Sequence, residues 1–321
     1  MSKLTDKCVL VTGGTGSFGR AFVKKVLAEE RPAKVIVLSR DEWKQWEMRQ
    51  SHPIFEDPRL RYFLGDVRDR DRLRRAFDGV DVVIHAAALK QVPAAEYNPT
   101  EFVRTNVDGA INVIDAAIDA DVGHVVALST DKAVNPINLY GATKLCADKI
   151  FVASNVYVGE RGRPKMSVVR YGNVLGSRGS IIPHWQRLRD EGARELPITD
   201  ERMTRFWLTV EQGVEFVLQS LEEMEGGEIF VPKLPSMKIV DLAAAIAPHM
   251  ERKIVGVRPG EKLHELLIPA EDARRTYEWR SGYVIVPHDG TSRGKPVPEG
   301  FSYTSDTNSE WLSPETLRAT L

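Results

Sequence analysis

Two side chains four apart, Tyr140 and Lys144, carry the clearest chemical signal in the chain. On a helix they share one face. An ammonium beside a phenol favours the phenolate and moves it toward a state that takes a proton from a substrate hydroxyl. Thr130, within Ser129-Thr130-Asp131-Lys132 one element earlier, offers a hydrogen bond to the same substrate oxygen. A Tyr-x-x-x-Lys spacing is common by chance, so its weight depends on the elements that position it.

Those elements begin at the N-terminus. Lys7 to Val11 reads as a first strand, and Thr12 to Gly19 as a glycine-rich turn opening a helix through Phe22, Val23, Val26 and Leu27. In that turn Gly13, Gly16 and Gly19, with Ser17 and Phe18, allow close approach to a pyrophosphate held on the helix N-terminus. Val35–Leu38, Leu60–Phe63, Val80–His85, Val125–Leu128 and Met166–Arg170 read as further strands, and their continuous apolar runs suit a sheet covered on both faces. Strands alternating with helices predict an α/β fold with a doubly wound parallel sheet, a Rossmann domain. After about Tyr171 the rhythm breaks and Gly, Pro and Arg become dense. We therefore expect a dinucleotide-binding domain over 1–172, rejoined by 206–234, and a smaller interleaved substrate-binding domain over 173–205 and 235–321.

The end of the second strand bears on the cofactor. An NAD site carries an Asp or Glu there for the ribose hydroxyls. Here the residues are Ser39-Arg40-Asp41 with Lys44 one turn on, a hydroxyl followed by cations that suits the 2′-phosphate of NADP, while Asp41 keeps NAD open. Asp66, followed by Val67, lies where an acid can bind the adenine amino group, and Ala86 and Ala87 offer small residues beside the nicotinamide ribose. Lys90, just beyond, can reach both cofactor and substrate. Tyr140 and Lys144 count among the cofactor contacts as well.

Composition bounds the rest. The 321 residues are 42% hydrophobic and carry a net charge of -1, which gives no nucleic-acid footprint. No apolar run is long enough for a membrane span, and no secretory leader pattern opens the chain, so a cytoplasmic protein without a membrane partner is expected. Two cysteines, Cys8 and Cys146, argue against a disulfide framework. His85, His184 and His264 are isolated and read as packing or capping residues; no spacing predicts a metal site.

Taken together, TGGTGSFGR, LSRDEWKQ, LGDVRD, HAAALKQVPAAEYNP, STDKAVNPINLYGATK, VVRYGNVLGSRGSIIP, LPITDERMTRFW, RPGEKLHE and YTSDTNSEWLS resemble the extended short-chain dehydrogenase/reductase family of nucleotide-sugar enzymes. The resemblance narrows to the inverting UDP-N-acetylglucosamine 4,6-dehydratases, lyases that open pseudaminic acid synthesis. It implies C4 oxidation, loss of water across C5 and C6, and return of hydride to C6. The product is UDP-2-acetamido-2,6-dideoxy-β-L-arabino-hex-4-ulose. The pair Asp131-Lys132 distinguishes this group: the resemblance makes Lys132 the C5 base and Asp131 its partner in water loss. A base must be neutral, so a depressed Lys132 pKa is expected, with Lys144 and the oxidised nicotinamide as the neighbouring positive charges. Asn173 matches a substrate amide contact. Arg178, Arg205 and Arg258 are candidates for the UDP phosphates because guanidinium forks suit phosphate oxygens. Thr199, Met203 and Glu261 fall in stretches that line the uridine and ribose. The resemblance also implies a homo-oligomer, hexamer or dimer.

Inversion at C5 rests on the resemblance alone. A retaining 4,6-dehydratase or a sugar 4-epimerase would use the same Tyr140 and Lys144, and a non-catalytic NADP-sensing scaffold is the alternative outside enzymes.

Overall fold

A computed structural model describes residues 2–288, 290 and 293–320. In chain order the first half comprises β1 (Cys8–Thr12), α1 (Ser17–Glu29), β2 (Lys34–Ser39), α2 (Glu42–Ser51), β3 (Leu60–Leu64), α3 (Arg70–Phe77), β4 (Val82–His85), α4 (Val92–Tyr97), α5 (Pro99–Val103), α6 (Gly109–Asp119), β5 (His124–Thr130), α7 (Leu139–Ala153) and β6 (Lys165–Tyr171). The second half adds β7 (Asn173–Val174), α8 (Ile181–Asp190), β8 (Glu195–Ile198), β9 (Thr204–Leu208), α9 (Val210–Glu223), β10 (Ile229–Pro232), β11 (Ser236–Lys238), α10 (Ile239–Ile246), β12 (Glu251–Ile254), β13 (Leu266–Ile268), β14 (Thr276–Trp279), β15 (Gly282–Ile285), β16 (Lys295–Pro296), β17 (Tyr303–Thr304) and α11 (Pro314–Thr320).

The main sheet runs β16-β14-β15-β10-β6-β5-β4-β1-β2-β3. From β3 to β10 every pairing is parallel. The reason lies in side chains such as Val9, Leu10 and Val11, or Val125 and Val126, which are fully buried on both faces beneath flanking helices. The chain leaves β1 in one direction through β2 and β3, then resumes on its other side at β4. This reversal opens a crevice at the carboxyl ends of the strands, where ligands of doubly wound sheets bind.

Three features depart from the sequence expectation. The fourth strand starts at Val82 rather than Val80, because Asp81 is spent on accepting from the Cys8 amide and on its ion pair with Lys7. Strands β14, β15 and β16, whose residues chain rhythm assigned to the smaller portion, join the main sheet by antiparallel pairing. Within 206–234, β10 and the buried face of α9 join the main body, but β9 pairs with β7 and β11 in a separate three-stranded sheet. A second core, built around Trp185, Trp207, Met237 and Leu242, lies under that sheet and the β8–β12 pair.

Helix α7 carries the chemistry, and its placement is tight. Asn138 caps it by accepting from the Gly141 amide at 2.7 Å. Tyr140, Lys144 and Asp148 are all buried, as expected for one face at intervals of four. A side chain at Gly141 would place its Cβ 2.1 Å from the Lys132 carbonyl oxygen. Glycine therefore lets α7 press directly against the turn that carries Asp131 and Lys132.

Gly141→Ala weighs two opposed effects. Alanine in place of helical glycine gains about 1 kcal/mol of propensity, whereas overpacking a rigid contact costs about 1–3 kcal/mol. The obstruction is a backbone carbonyl and not a flexible side-chain end, so the loss prevails. We expect a lower urea midpoint and reduced turnover in this variant; a midpoint equal to or above wild type would contradict the tight contact.

Candidate active site

A single cleft of about 920 Å³ runs along the switch in the main sheet to the smaller lobe. At one end lies the turn after β1. Gly13 has φ +65°, and a Cβ there would sit 2.9 Å from the Ala87 backbone, so only glycine lets the turn lie against Ala86 and Ala87. Helix α1 follows with no side chain capping its first turn, so the amides and positive dipole end remain available for an anion. Gly16, Ser17, Phe18 and Gly19 line the same end. This cradle fits a dinucleotide pyrophosphate.

The adjoining wall is formed by Ser39, Arg40, Asp41, Lys44, Asp66 and Val67. Gln45 donates to both the Ser39 carbonyl and hydroxyl, fixing the end of β2. Asp41 does not reach freely into the cleft. Its carboxylate accepts from the Lys44 amide at 3.1 Å, capping α2, and pairs with the Lys44 ammonium at 3.0 Å. The amide bond is the leading cause holding its pKa below the usual carboxylate value. Asp66 is gripped by Arg68 at 2.7 Å, with Arg40 at 3.7 Å.

The catalytic candidates converge at the middle of the cleft. Thr130 donates to Asp131 Oδ1 at 2.9 Å, and Lys132 Nζ donates to the same oxygen at 3.1 Å. Asp131 has no exposed surface, and alone among the candidate site residues it does not line the cleft. Its contacts with the cleft run through Thr130 and Lys132. Burial pushes the Tyr140 phenol up to about 12, against the opposing pull of the Lys132 charge and the Thr130 hydrogen bond. In this structure the leading cation that draws Tyr140 down is Lys132. Lys144 donates to the Leu128 carbonyl at 2.8 Å, and burial lowers its own pKa despite Asp148.

Lys132 brings a correction. Burial alone would depress its pKa, as expected for a base, but the carboxylates of Asp131 and Glu265 outweigh burial and raise it. Glu265 Oε1 lies 3.2 Å from Lys132 Nζ. Sequence reasoning passed over Glu265, although it closes the RPGEKLHE stretch; only its buried neighbours distinguish it from Glu261. Asn106 was missed as well. It lies in a π-helical turn over Arg104–Asp108 and exchanges two hydrogen bonds with the backbone of Leu89, steadying the loop that carries Lys90. The Lys90 side chain lines the cleft, with its pKa lowered by burial and then by Lys132.

The arginines separate. Arg205 is buried, and its guanidinium is spent on the carbonyls of Thr204, Leu263 and Lys262, the sulfur of Met203 and the Glu265 carboxylate. It clamps the segment 262–265 and has no free fork for a phosphate. Arg178 sits at the dinucleotide end, its amide donating to the Ser17 hydroxyl and its side chain on Glu47. Arg258 remains at the far end, paired with Glu261 beside Thr199 and Met203. Asn173 faces the cleft with a buried Oδ1 that has no hydrogen-bond partner. His85 is buried and held near 3 by burial, bonded to Thr12, while His264 bonds Thr204; both are packing residues. Among the described residues no His, Cys, Asp and Glu cluster could hold a metal, and no helix is long and apolar enough to cross a membrane.

This fold and cleft define an extended short-chain dehydrogenase/reductase built around a nucleotide-binding Rossmann sheet. The chain belongs to the polysaccharide biosynthesis protein family, which matches residues 9–287, and within it to the family of inverting UDP-N-acetylglucosamine 4,6-dehydratases, whose Campylobacter jejuni member is 53% identical over 97% of this chain and 96% of its own. A UDP-glucose 4-epimerase from Rickettsia akari is 41% identical over 89% of this chain and 84% of its own. The X-ray structure of Pen from Bacillus thuringiensis superposes with a TM-score of 0.91 at 34% identity, covering 99% of this chain and 98% of that one.

The ionisation of Tyr140 gives a direct check. An ordinary phenol titrates near ~10, whereas Tyr140 is held near 12. Ultraviolet titration of the ligand-free protein should be unchanged by Tyr140→Phe through the first of these transitions and should lose one tyrosinate only at the alkaline end. Thr130→Val removes a hydrogen bond that lowers the value, so it should move Tyr140 further upward. Loss of a tyrosinate in the first transition would overturn this picture.

Proposed function

We propose that the protein converts UDP-N-acetylglucosamine into the 6-deoxy-4-keto sugar with inversion at C5, using NADP that is regenerated in each cycle. The observation that carries this reading is the meeting of Tyr140, Thr130 and Lys132 in one cleft with the glycine cradle, reinforced by the 53% identity to the inverting Campylobacter enzyme. When bound, the dinucleotide would supply hydride acceptance from C4 and its return to C6, and its oxidised nicotinamide would add positive charge near Tyr140 before C4 is oxidised.

The chain's own groups handle the protons. Tyr140, lowered from about 12 by that added positive charge, takes the C4 hydroxyl proton, and Thr130 orients the same oxygen. The C4 ketone acidifies C5, and Lys132 removes that proton. Asp131 assists the departure of the C6 hydroxyl through Lys132, since it has no surface in the cleft. Reprotonation of C5 from the opposite face gives the L-arabino sugar. Asn173, with its unpartnered buried oxygen, is suited to the acetamido group. Arg258 and Lys90 supply positive charge for the UDP phosphates.

NADP is favoured over NAD because the acid that would bind ribose hydroxyls, Asp41, is committed to capping α2, leaving Arg40 half-exposed on the cleft wall. The product suits entry into pseudaminic acid-type synthesis. A cytoplasmic homo-oligomer is part of the same proposal; free Cys8 and Cys146 accord with a reducing compartment.

The 4-epimerase relative keeps a second reading in view. Incubation with UDP-N-acetylglucosamine in heavy water separates the two: we expect a product lighter by one water, with solvent deuterium at an inverted C5. Retained mass with inverted C4 would replace dehydratase by epimerase. Lys132→Ala should still oxidise C4, more slowly because a charge that lowers Tyr140 is lost, seen as reduced-nicotinamide absorbance, while formation of the 6-deoxy ketone falls about 10²–10⁴-fold. A near wild-type rate would remove Lys132 from its role. For the cofactor, Arg40→Ala should weaken NADP binding about tenfold, roughly 1.4 kcal/mol, and leave NAD binding unchanged in fluorescence titrations; equal effects on both would contradict the NADP assignment.

A further inference from the structure

Lys132 is flanked by two carboxylates from different parts of the chain, and only one of them faces the cleft. Asp131 is sealed, and its Oδ1 already accepts from the Thr130 hydroxyl as well as from Lys132. Glu265 is 2% exposed and lines the cleft. Its Oε1 lies 3.2 Å from Lys132 Nζ, and its Oε2, like Asp131 Oδ2, is buried without a hydrogen-bond partner, but only Glu265 borders the cleft. Native structures leave few such atoms unsatisfied, and each calls for a role. We propose that Glu265 is the proton partner of Lys132, taking the ammonium proton so that the amine can remove the C5 proton of the bound 4-keto sugar. This inference rests on the dehydratase reading above.

The proton count supports the assignment. Among the ion-paired groups of the resting cluster two carboxylates, Asp131 and Glu265, face two cations, Lys132 and Arg205, so their charges balance, with Lys262 and Lys90 as further cations on the cleft wall. Moving one proton from Lys132 to Glu265 breaks an N–H bond, forms an O–H bond and leaves the total charge unchanged. Releasing the same proton to solvent would leave the buried cluster with a net negative charge, which a site shielded from water opposes. A sugar filling the cleft displaces water and so favours the neutral amine–acid pair over the ion pair. Lys132 then takes the C5 proton: the C5–H bond breaks, an N–H bond forms, and the electron pair moves into the C4 carbonyl. Lys132 passes that proton to the departing C6 hydroxyl, which leaves as water, and recovers its own from Glu265.

The local fold holds the pair in register. Lys262 donates to the Val134 carbonyl, Asn138 donates to the Gly260 carbonyl at 2.8 Å, and Arg205 binds the carbonyls of Lys262 and Leu263. The segment bearing Glu265 is thus tied to the turn bearing Lys132 on both sides of their contact. Glu265 is a positioning and proton-holding residue that works through Lys132.

The test compares full-length wild type, Glu265→Gln and Glu265→Asp, each loaded with dinucleotide and given UDP-N-acetylglucosamine. Three readouts are taken: reduced-nicotinamide absorbance for C4 oxidation, deuterium entry at C5 in heavy water, and kcat across pH. For Glu265→Gln we expect C4 oxidation within about twofold of wild type and unchanged KM, with C5 exchange and kcat down about 10²–10³-fold near neutrality. That deficit should shrink as pH rises, because hydroxide can then deprotonate Lys132. Glu265→Asp, which keeps a carboxylate at a longer reach, should recover part of the loss with the same pH trend. A kcat within about threefold of wild type, or a loss equal at every pH and shared by C4 oxidation, would reduce Glu265 to a structural clamp and overturn the proposal. If Glu265→Gln does not fold, the pH trend of Glu265→Asp decides by the same criterion. Wild type that releases no water would instead sink the dehydratase reading itself, and that outcome is distinguishable because it needs no variant.

Discussion

An ammonium enclosed by two buried carboxylates sets the terms for the rest of this molecule. Lys132 lies 3.1 Å from Asp131 and 3.2 Å from Glu265, and both acids are almost wholly removed from water. Burying such charges costs several kcal/mol for each ion unless partners are held in good geometry. The surrounding structure is organised to supply that geometry: Arg205 as a second cation, Thr130 as a donor to Asp131, and cross-ties that fasten the Glu265 segment to the Lys132 turn. The cluster is where the Rossmann sheet and the smaller lobe become one site.

The same cluster governs the reactivity of Tyr140. Its phenol is buried and raised, and the nearest counterweights are Lys132 and Thr130, members of that cluster. Lys132 and Tyr140 are therefore electrostatically linked: in the proposed cycle the charge on Lys132 that helps Tyr140 ionise is the charge Lys132 gives up to act as a base. A cycle in which Tyr140 works first, at C4, and Lys132 second, at C5, respects this order. Lys144, buried on the Leu128 carbonyl, anchors α7 beneath them.

The glycine positions show how backbone approach sets the distances. Gly13 lets the first turn lie on Ala87, and Gly141 lets α7 meet the Lys132 carbonyl. One contact shapes the dinucleotide end of the cleft and the other the catalytic centre, and neither tolerates a side chain without backbone movement.

How much of this was legible beforehand depended on whether the signal was local. The parallel strands, the glycine turn and the Tyr140–Lys144 face follow from periodicity and spacing, because a strand buried on both faces or a helix face at intervals of four writes its own pattern into consecutive residues. All the candidate residues but Asp131 line one cleft. What the chain order concealed was partnership across distance. Whether Arg205 offers its guanidinium to a ligand or spends it on carbonyls, and which glutamate of 258–265 faces Lys132, depend on which side chains share a dry space. A pKa is the sharpest case. Sequence predicted Lys132 to be depressed, whereas tertiary structure raised it by burying Asp131 against it and by bringing Glu265 beside it from 133 residues away in the chain, since Coulomb energy depends on separation in space and on local solvation.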